Sequence, residues 1–322
     1  GTLVAAGTPE MPIRMIPDIW TWNGVRLAQL IQAGTVLRNV RLENFDGTVS
    51  GIRIDASGNP GDRVAIVENC LLQSGEPGSV GVHLSGNARV RSFENNVLDV
   101  DALSVNASLG GLGDLLGSSN TYEAPLRVRA GSITGEDLVW SRPVASDAST
   151  QPIRPTGNMT VTNGSLTIRA GNRIELPFNG HLTMTDGQLV VDGTSSEPVR
   201  FEPIAGAAFW NRIRLRGSGS AGTSRITHAV LEAAGSDPGL GSSFARAAIA
   251  VENSGGIPAT PAISNTTIVD SNGYGMTFVD STHCRAGCSD NTIAGARFSS
   301  VGIHANFIGR FGTGNVLAGN NT

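Results

Sequence analysis

The chain contains no lysine: all 23 basic residues are arginine, against 27 acidic ones, giving a net charge of −4 over 322 residues. Those arginines are scattered along the sequence rather than clustered, which together with the net negative charge argues against a nucleic-acid partner. Aromatic residues are only 5% of the chain while glycines number 42, which suits a narrow core of small aliphatics with many tight turns. No apolar run approaches the ~18 residues of a membrane-spanning helix. No leader of the usual secretory form opens the sequence, which reads as mature or processed. Helical periodicity is missing too. The nearest candidate, Val25 to Ile31, is too short to stand as a helix alone.

What the chain has is a resemblance to itself. Gly1 to Pro17 (GTLVAAGTPEMPIRMIP) returns as Gly187 to Pro203 (GQLVVDGTSSEPVRFEP), ungapped, at an offset of 186 and with eight identities in seventeen positions. The echo continues: Trp22-Asn23 is answered by Trp210-Asn211, and Val25-Arg26-Leu27 by Ile213-Arg214-Leu215. Beyond a longer loop at Ser236 to Ala245, Asn69-Cys70-Leu71-Leu72 is answered by Asn265-Thr266-Thr267-Ile268, and Gly81-Val82-His83-Leu84 by Gly275-Met276-Thr277-Phe278. Asn120-Thr121 is matched to the final Asn321-Thr322, leaving residues 122 to 186 without a copy. Such a long period implies stacked structural units.

A finer period belongs to strands. Leu166/Ile168, Ile174/Leu176, Leu182/Met184, Leu189/Val191 and Val199/Phe201 are alternating apolar pairs separated by Gly, Asn or Asp. Alternation over three to five residues followed by turn chemistry predicts short strands. A rung of three such strands needs ~20 to 25 residues, the size at which structural repeats stack. Apolar-x-Asn motifs recur at Asn39, Asn69, Asn96, Asn265 and Asn291, and stacked Asn side chains at a bend can hydrogen-bond along a stack. The expected fold is therefore all-β, a parallel β-helix (solenoid) with three short strands per rung and about fourteen rungs, to which the resemblance below adds the right hand.

Gly157 to Phe201, followed by Trp210 to Leu215 and Ile226 to Glu232, resembles the opening of right-handed parallel β-helix repeat domains in large secreted or surface-attached bacterial proteins. The resemblance covers nearly the whole chain. It implies architecture more than activity, because similar modules occur in adhesins, filament components, polysaccharide lyases and tailspike-like proteins. The expected organisation is a first repeat unit at 1–139, an irregular loop or break at 140–156, and a second unit at 157–322.

Candidate chemistry is sparse. Cys284 and Cys288 (HCRAGC) have no counterpart in the first copy and read as a loop disulfide, which points to an oxidising compartment. The rival, a zinc site with His283, is short of the four ligands that a structural zinc takes. Cys70 reads as a small wall residue. Asp99 and Asp101 (LDVDAL) share a strand face, with Asp114 following, and are the catalytic candidates if the chain is an enzyme. The second copy has no acidic pair there. His83, His228 and His304 are answered by or answer to Thr277, Asn39 and Asn106, so each reads as a wall position. Arg127/Arg129 and Arg212/Arg214 read as outward, solvated positions. Asp270-Ser271-Asn272-Gly273 resembles a calcium-loop fragment without its terminal Glu.

The sequence thus points to a non-catalytic extracellular or cell-surface scaffold, part of a longer repetitive protein, acting in display, adhesion or self-association with glycan contact. Expected partners are further repeats of this or a neighbouring chain and a surface glycan, without nucleic acid or a membrane span. No cofactor is expected. One alternative is a polysaccharide lyase or glycoside hydrolase, where calcium would enter. A second is a tailspike-like fibre, which would be trimeric.

Overall fold

A computed structural model describes the chain apart from residues 1, 18–21, 29–33, 48, 56–62, 118, 218–223, 236–245, 254–258, 280–281, 285–287, 304–310 and 319–322, and apart from the side chains of 63, 64 and 303. It divides into two units. The first comprises Gly1–Arg129 with Ser141–Ile153, the second Ala130–Trp140 with Arg154–Thr322. The segment expected as an irregular break is thus shared: Trp140 ends the strand Asp137–Trp140 of the second unit, and Val144 makes isolated bridges to Thr121 and Thr150 in the first.

Both units are parallel β-solenoids. In the first, Val4–Ala6, Thr35–Arg38, Arg63–Glu68 and Arg89–Glu94 form one sheet. Ile13–Met15, Val40–Glu43, Leu71–Ser74, Val97–Val100 and Thr121–Tyr122 form the second. Val25–Leu27, Ser50–Ile54, Val80–Leu84, Leu103–Ala107 and Leu126–Val128 line the third face. The chain visits the three faces in rotation, giving four complete turns in the first unit and five in the second, about nine in all. That is fewer than the fourteen expected, because loops at the bends lengthen the rungs. One rung takes 23 residues, Met159 to Leu182, but another takes 36, Ile213 to Ile249.

Alternation sends one set of side chains inward, where parallel register stacks like on like. Leu42, Leu72, Leu98 and Tyr122 form one such column, and Ile52, Val82, Val105 and Leu126 another, all buried. The second unit stacks Ile174, Phe201, Leu231, Ile268 and Ile293. Fully burying each such side chain contributes about 1.5–3 kcal/mol. Columns of this kind explain why glycine is needed at Gly81: an added Cβ would lie 2.7 Å from the Ser104 carbonyl and 2.9 Å from Leu98 Cδ2.

The recurrent asparagines fall into two classes that the sequence motif merges. Asn39, Asn69 and Asn95 adopt left-handed backbone (φ 51°, 53° and 55°) at the bend between first and second faces. A single left-handed residue turns the chain sharply, and Asn tolerates it better than most residues. Asn96, one position later, points inward. Its Oδ1 accepts from Cys70 N at 3.0 Å, and its Nδ2 donates to Val67 O at 3.0 Å and Asn120 Oδ1 at 3.1 Å. The second unit repeats this buried ladder through Asn291, whose Oδ1 accepts from Thr266 N at 3.1 Å and whose Nδ2 donates to Ile263 O and Asn315 Oδ1. Among the described residues, which do not include Asn321, it is Asn315 that completes the same bonds and so stands in the place of Asn120.

Among the described residues one short helix, Leu109–Leu115, interrupts the strands. Ser108 caps it by accepting from Gly111 N, and Leu109, Leu112 and Leu115 are buried. Two glycines in the first turn and seven residues of length hide it from periodicity. No helix among the described residues is long and apolar enough to cross a membrane.

Candidate functional site

The sequence candidates are held apart. Asp99 projects, exposed, from Val97–Val100 and accepts from Gln73 Nε2 at 2.8 Å. Asp101 lies in the turn that follows, where its Oδ2 accepts from Gly78 N at 3.4 Å and its own N–H donates to Ser79 Oγ. Each is occupied in fastening one rung to the previous one. Asp114, its side chain 8% exposed, takes Arg89 in two-point contact at 2.6 and 2.9 Å, with Val90 N as a third donor. Among the described residues no group of three His, Cys, Asp or Glu side chains is arranged to hold a metal. In the Asp270 stretch, Ser271 Oγ donates to Tyr274 O at 2.7 Å and Arg297 Nη1 to Asn272 Oδ1, which closes an ordinary bend. Cys284 and Cys288 are buried and joined in a disulfide. His304 lies outside the described residues. By register it is Gly302, paired with Thr277, that answers Asn106, paired with His83.

The structure assembles a different set. On the third face of the first unit, one outward column runs Arg26, Arg53, His83, Asn106, Arg127 in successive rungs. At ~4.8 Å per strand it spans about 19 Å. Arg129, just past its strand, reaches back so that Nη1 stands 3.3 Å from His83 Nε2, while Nη2 donates to the carbonyls of Leu84 and Gly86. Asp55 accepts from Arg26 Nε and Arg53 Nε, both at 2.8 Å. Burial alone would raise the Asp55 pKa, but the hydrogen bonds from Arg53 and Arg26 outweigh it and lower it. Two guanidinium groups thus share one carboxylate, and Arg26, Arg53 and Arg127 are exposed.

His83 is the titratable group of this face. Its pKa lies below the ordinary value, first because burial disfavours the charged ring and then because Arg129 and Arg53 repel a second cation, with Asp55 opposing. A guanidinium has no acceptor, so the contact with Arg129 makes Nε2 the unprotonated nitrogen and places the ring proton on Nδ1. The arrangement offers an anion several charge-assisted donors in a line, with a neutral imidazole among them.

The two copies differ at this column. The positions of Arg26, Arg53, His83 and Asn106 are taken in the second unit by Arg214, Ala250, Thr277 and Gly302. Ala250 and Thr277 are fully buried. Arg214 is bound to Glu252 at 2.5 Å. The framework repeats, but the open cationic column does not. Sequence reading missed it because its members are some 20 to 30 residues apart and only strand register makes them neighbours. The available signal was the substitution of Arg53 and His83 by Ala and Thr between otherwise matching strands. No family model, curated protein or solved structure matches the chain.

Proposed function

We propose that this chain is a non-catalytic β-solenoid scaffold of the secreted or cell-surface kind, acting in display and adhesion, and that it contacts an acidic glycan through the cationic column of its first unit. The observation that carries the reading is the line Arg26, Arg53, His83, Asn106, Arg127, one side chain per rung with Arg129 alongside. A linear polyanion bearing a carboxylate on each sugar presents charge at a spacing close to one rung. Guanidinium groups bind carboxylates in a planar, directional way. The disulfide Cys284–Cys288 supports an oxidising location, and the paired solenoid units suit a spacer whose surface rather than interior does the work.

The test is equilibrium binding of polygalacturonate, with dextran as the neutral control. Wild type is expected to bind the polyanion, weakening steeply with salt. Replacing Arg53 and Arg127 by Gln should weaken it by about tenfold or more per residue, the loss expected of charge-assisted hydrogen bonds. Equal binding by the double variant would refute the reading.

A second reading, a uronate lyase, is favoured by one observation: a neutral His83 lies between Arg129 and Arg53. Cations that neutralise a uronate carboxylate acidify the adjacent C–H, and the neutral imidazole becomes a competent base once Arg129 turns from its Nε2 to that carboxylate. Unsaturated products from uronic-acid polymers, with and without calcium, abolished by His83→Ala, would establish catalysis and overturn the scaffold reading.

A further inference from the structure

The internal repeat does more than duplicate a framework. At the bend between first and second faces of the first unit lies a cavity of about 390 Å³, and a cavity of about 370 Å³ lies in the second unit. Their linings correspond through the repeat. Pro12 answers Pro198 and Pro9 answers Ser195, Asn39 answers His228, Asn69 answers Asn265, and Asn95 answers Asp290. The overhanging wall is the GT-x-x-x-P loop, and it is built by the same bonds in both units. Thr8 N and Thr194 N donate to Met11 O and Glu197 O at 3.1 Å, while Met11 N and Glu197 N donate to Thr8 Oγ1 and Thr194 Oγ1 at 3.0 Å. Ile13 N and Val199 N then tie each loop to the floor, at Asn39 O and His228 O. The eight identities of the opening repeat thus include the Gly, Thr and Pro of this wall, Gly7, Thr8 and Pro12 in the first copy.

We infer that the two cavities are a duplicated binding site for a neutral glycan chain, separate from the cationic column. Three observations converge. First, the side-chain amides of Asn69 and Asn265 are exposed and bond to nothing among the described residues, so each floor offers a free donor and acceptor. Second, the charged lining reverses sign between the copies: Arg41 in one is Val230 in the other, and Asn95 in one is Asp290 in the other. A ligand taken by both must be uncharged, and sugar hydroxyls, which donate and accept, match free amides. Third, the floor residues repeat along the axis at ~4.8 Å. A β-linked pyranose advances by about one rung, whereas an extended peptide rises only ~3.3 Å per residue and falls out of step. Pro12 and Pro198 supply the apolar wall on which a sugar's C–H face packs. The volumes fall at the small-ligand end of binding pockets, room for a short oligosaccharide.

The test uses Asn69→Gly and Asn265→Gly. Both positions have positive φ (53° and 50°), which glycine adopts freely, so the bend survives and only the amide is lost. Cellotetraose, xylotetraose and chitotetraose are titrated by calorimetry into the intact chain. The expected result is that at least one binds at two sites per chain, that each single variant retains one site, and that the double variant retains none. Binding should persist at high salt and in the Arg53/Arg127 variant, so failure here is distinguishable from failure of polygalacturonate binding. Absence of saturable binding by all three, a stoichiometry other than two, or unchanged binding by the double variant would overturn the inference.

Discussion

Asn96→Ala is the sharpest probe of what holds a rung in place. Asn96 is fully buried, and truncation removes three bonds at once. The buried Cys70 N–H loses its acceptor, and a buried orphan donor costs about 1–3 kcal/mol. Val67 O and Asn120 Oδ1 each lose a donor, at about 0.5–1.5 kcal/mol apiece. Freeing the side chain from its fixed rotamer returns about 1 kcal/mol. The net expectation is a loss of about 3 kcal/mol, with the same result for Asn291→Ala in the second unit. Asn69, one bend away and exposed, is the control: Asn69→Ala should cost only the left-handed strain of about 1 kcal/mol, and Asn69→Gly about nothing. Urea denaturation gives the energies, and amide exchange at Cys70 gives the local reading, which should accelerate in Asn96→Ala alone. A cost below about 1 kcal/mol for Asn96→Ala, or equal costs at positions 96 and 69, would refute the two-class reading of the asparagines.

Four further outcomes are expected. Burial pushes the Cys70 thiol up to about 11, so it should resist thiol reagents until the protein unfolds, and its share of stability, present below the unfolded value, should be lost as pH rises through about 11. His83 has a lowered pKa, so its contribution to stability is present above the unfolded value and lost as pH falls through the folded one. Melting curves across mildly acidic pH should be flatter for His83→Gln. The Cys284–Cys288 disulfide closes so short a ring that reducing it should cost only about 2 kcal/mol on a chain-entropy estimate, read by melting with and without reductant. Arg89→Ala should cost about 3 kcal/mol in denaturation, because it removes a two-point guanidinium contact from the nearly buried Asp114 carboxylate.

Strand pairs such as Leu182/Met184 and Leu189/Val191 were legible because their alternation is local and their neighbours supply turn chemistry. The helix at Leu109–Leu115 was not, since its glycines oppose helix formation and tertiary burial of three leucines overrides them. The rung number was overstated because alternation marks strands but says nothing of loop length. Asn69 and Asn96 look alike in sequence. They part in space because one carries the left-handed bend and the next points into the core.

The sequence by itself determined the class of fold, the internal repeat and the location of the one close cysteine pair, since composition, periodicity and short spacing act along the chain. Only the tertiary structure decided which side chains meet. Parallel register joins Arg26, Arg53, His83 and Arg127 into one column, separates Asp99 from Asp101 in role, and turns the repeated GT-x-x-x-P loop into the wall of two matching cavities. In a solenoid, neighbours in space are a full turn apart in sequence, and the length of that turn is set by loops that leave no periodic trace.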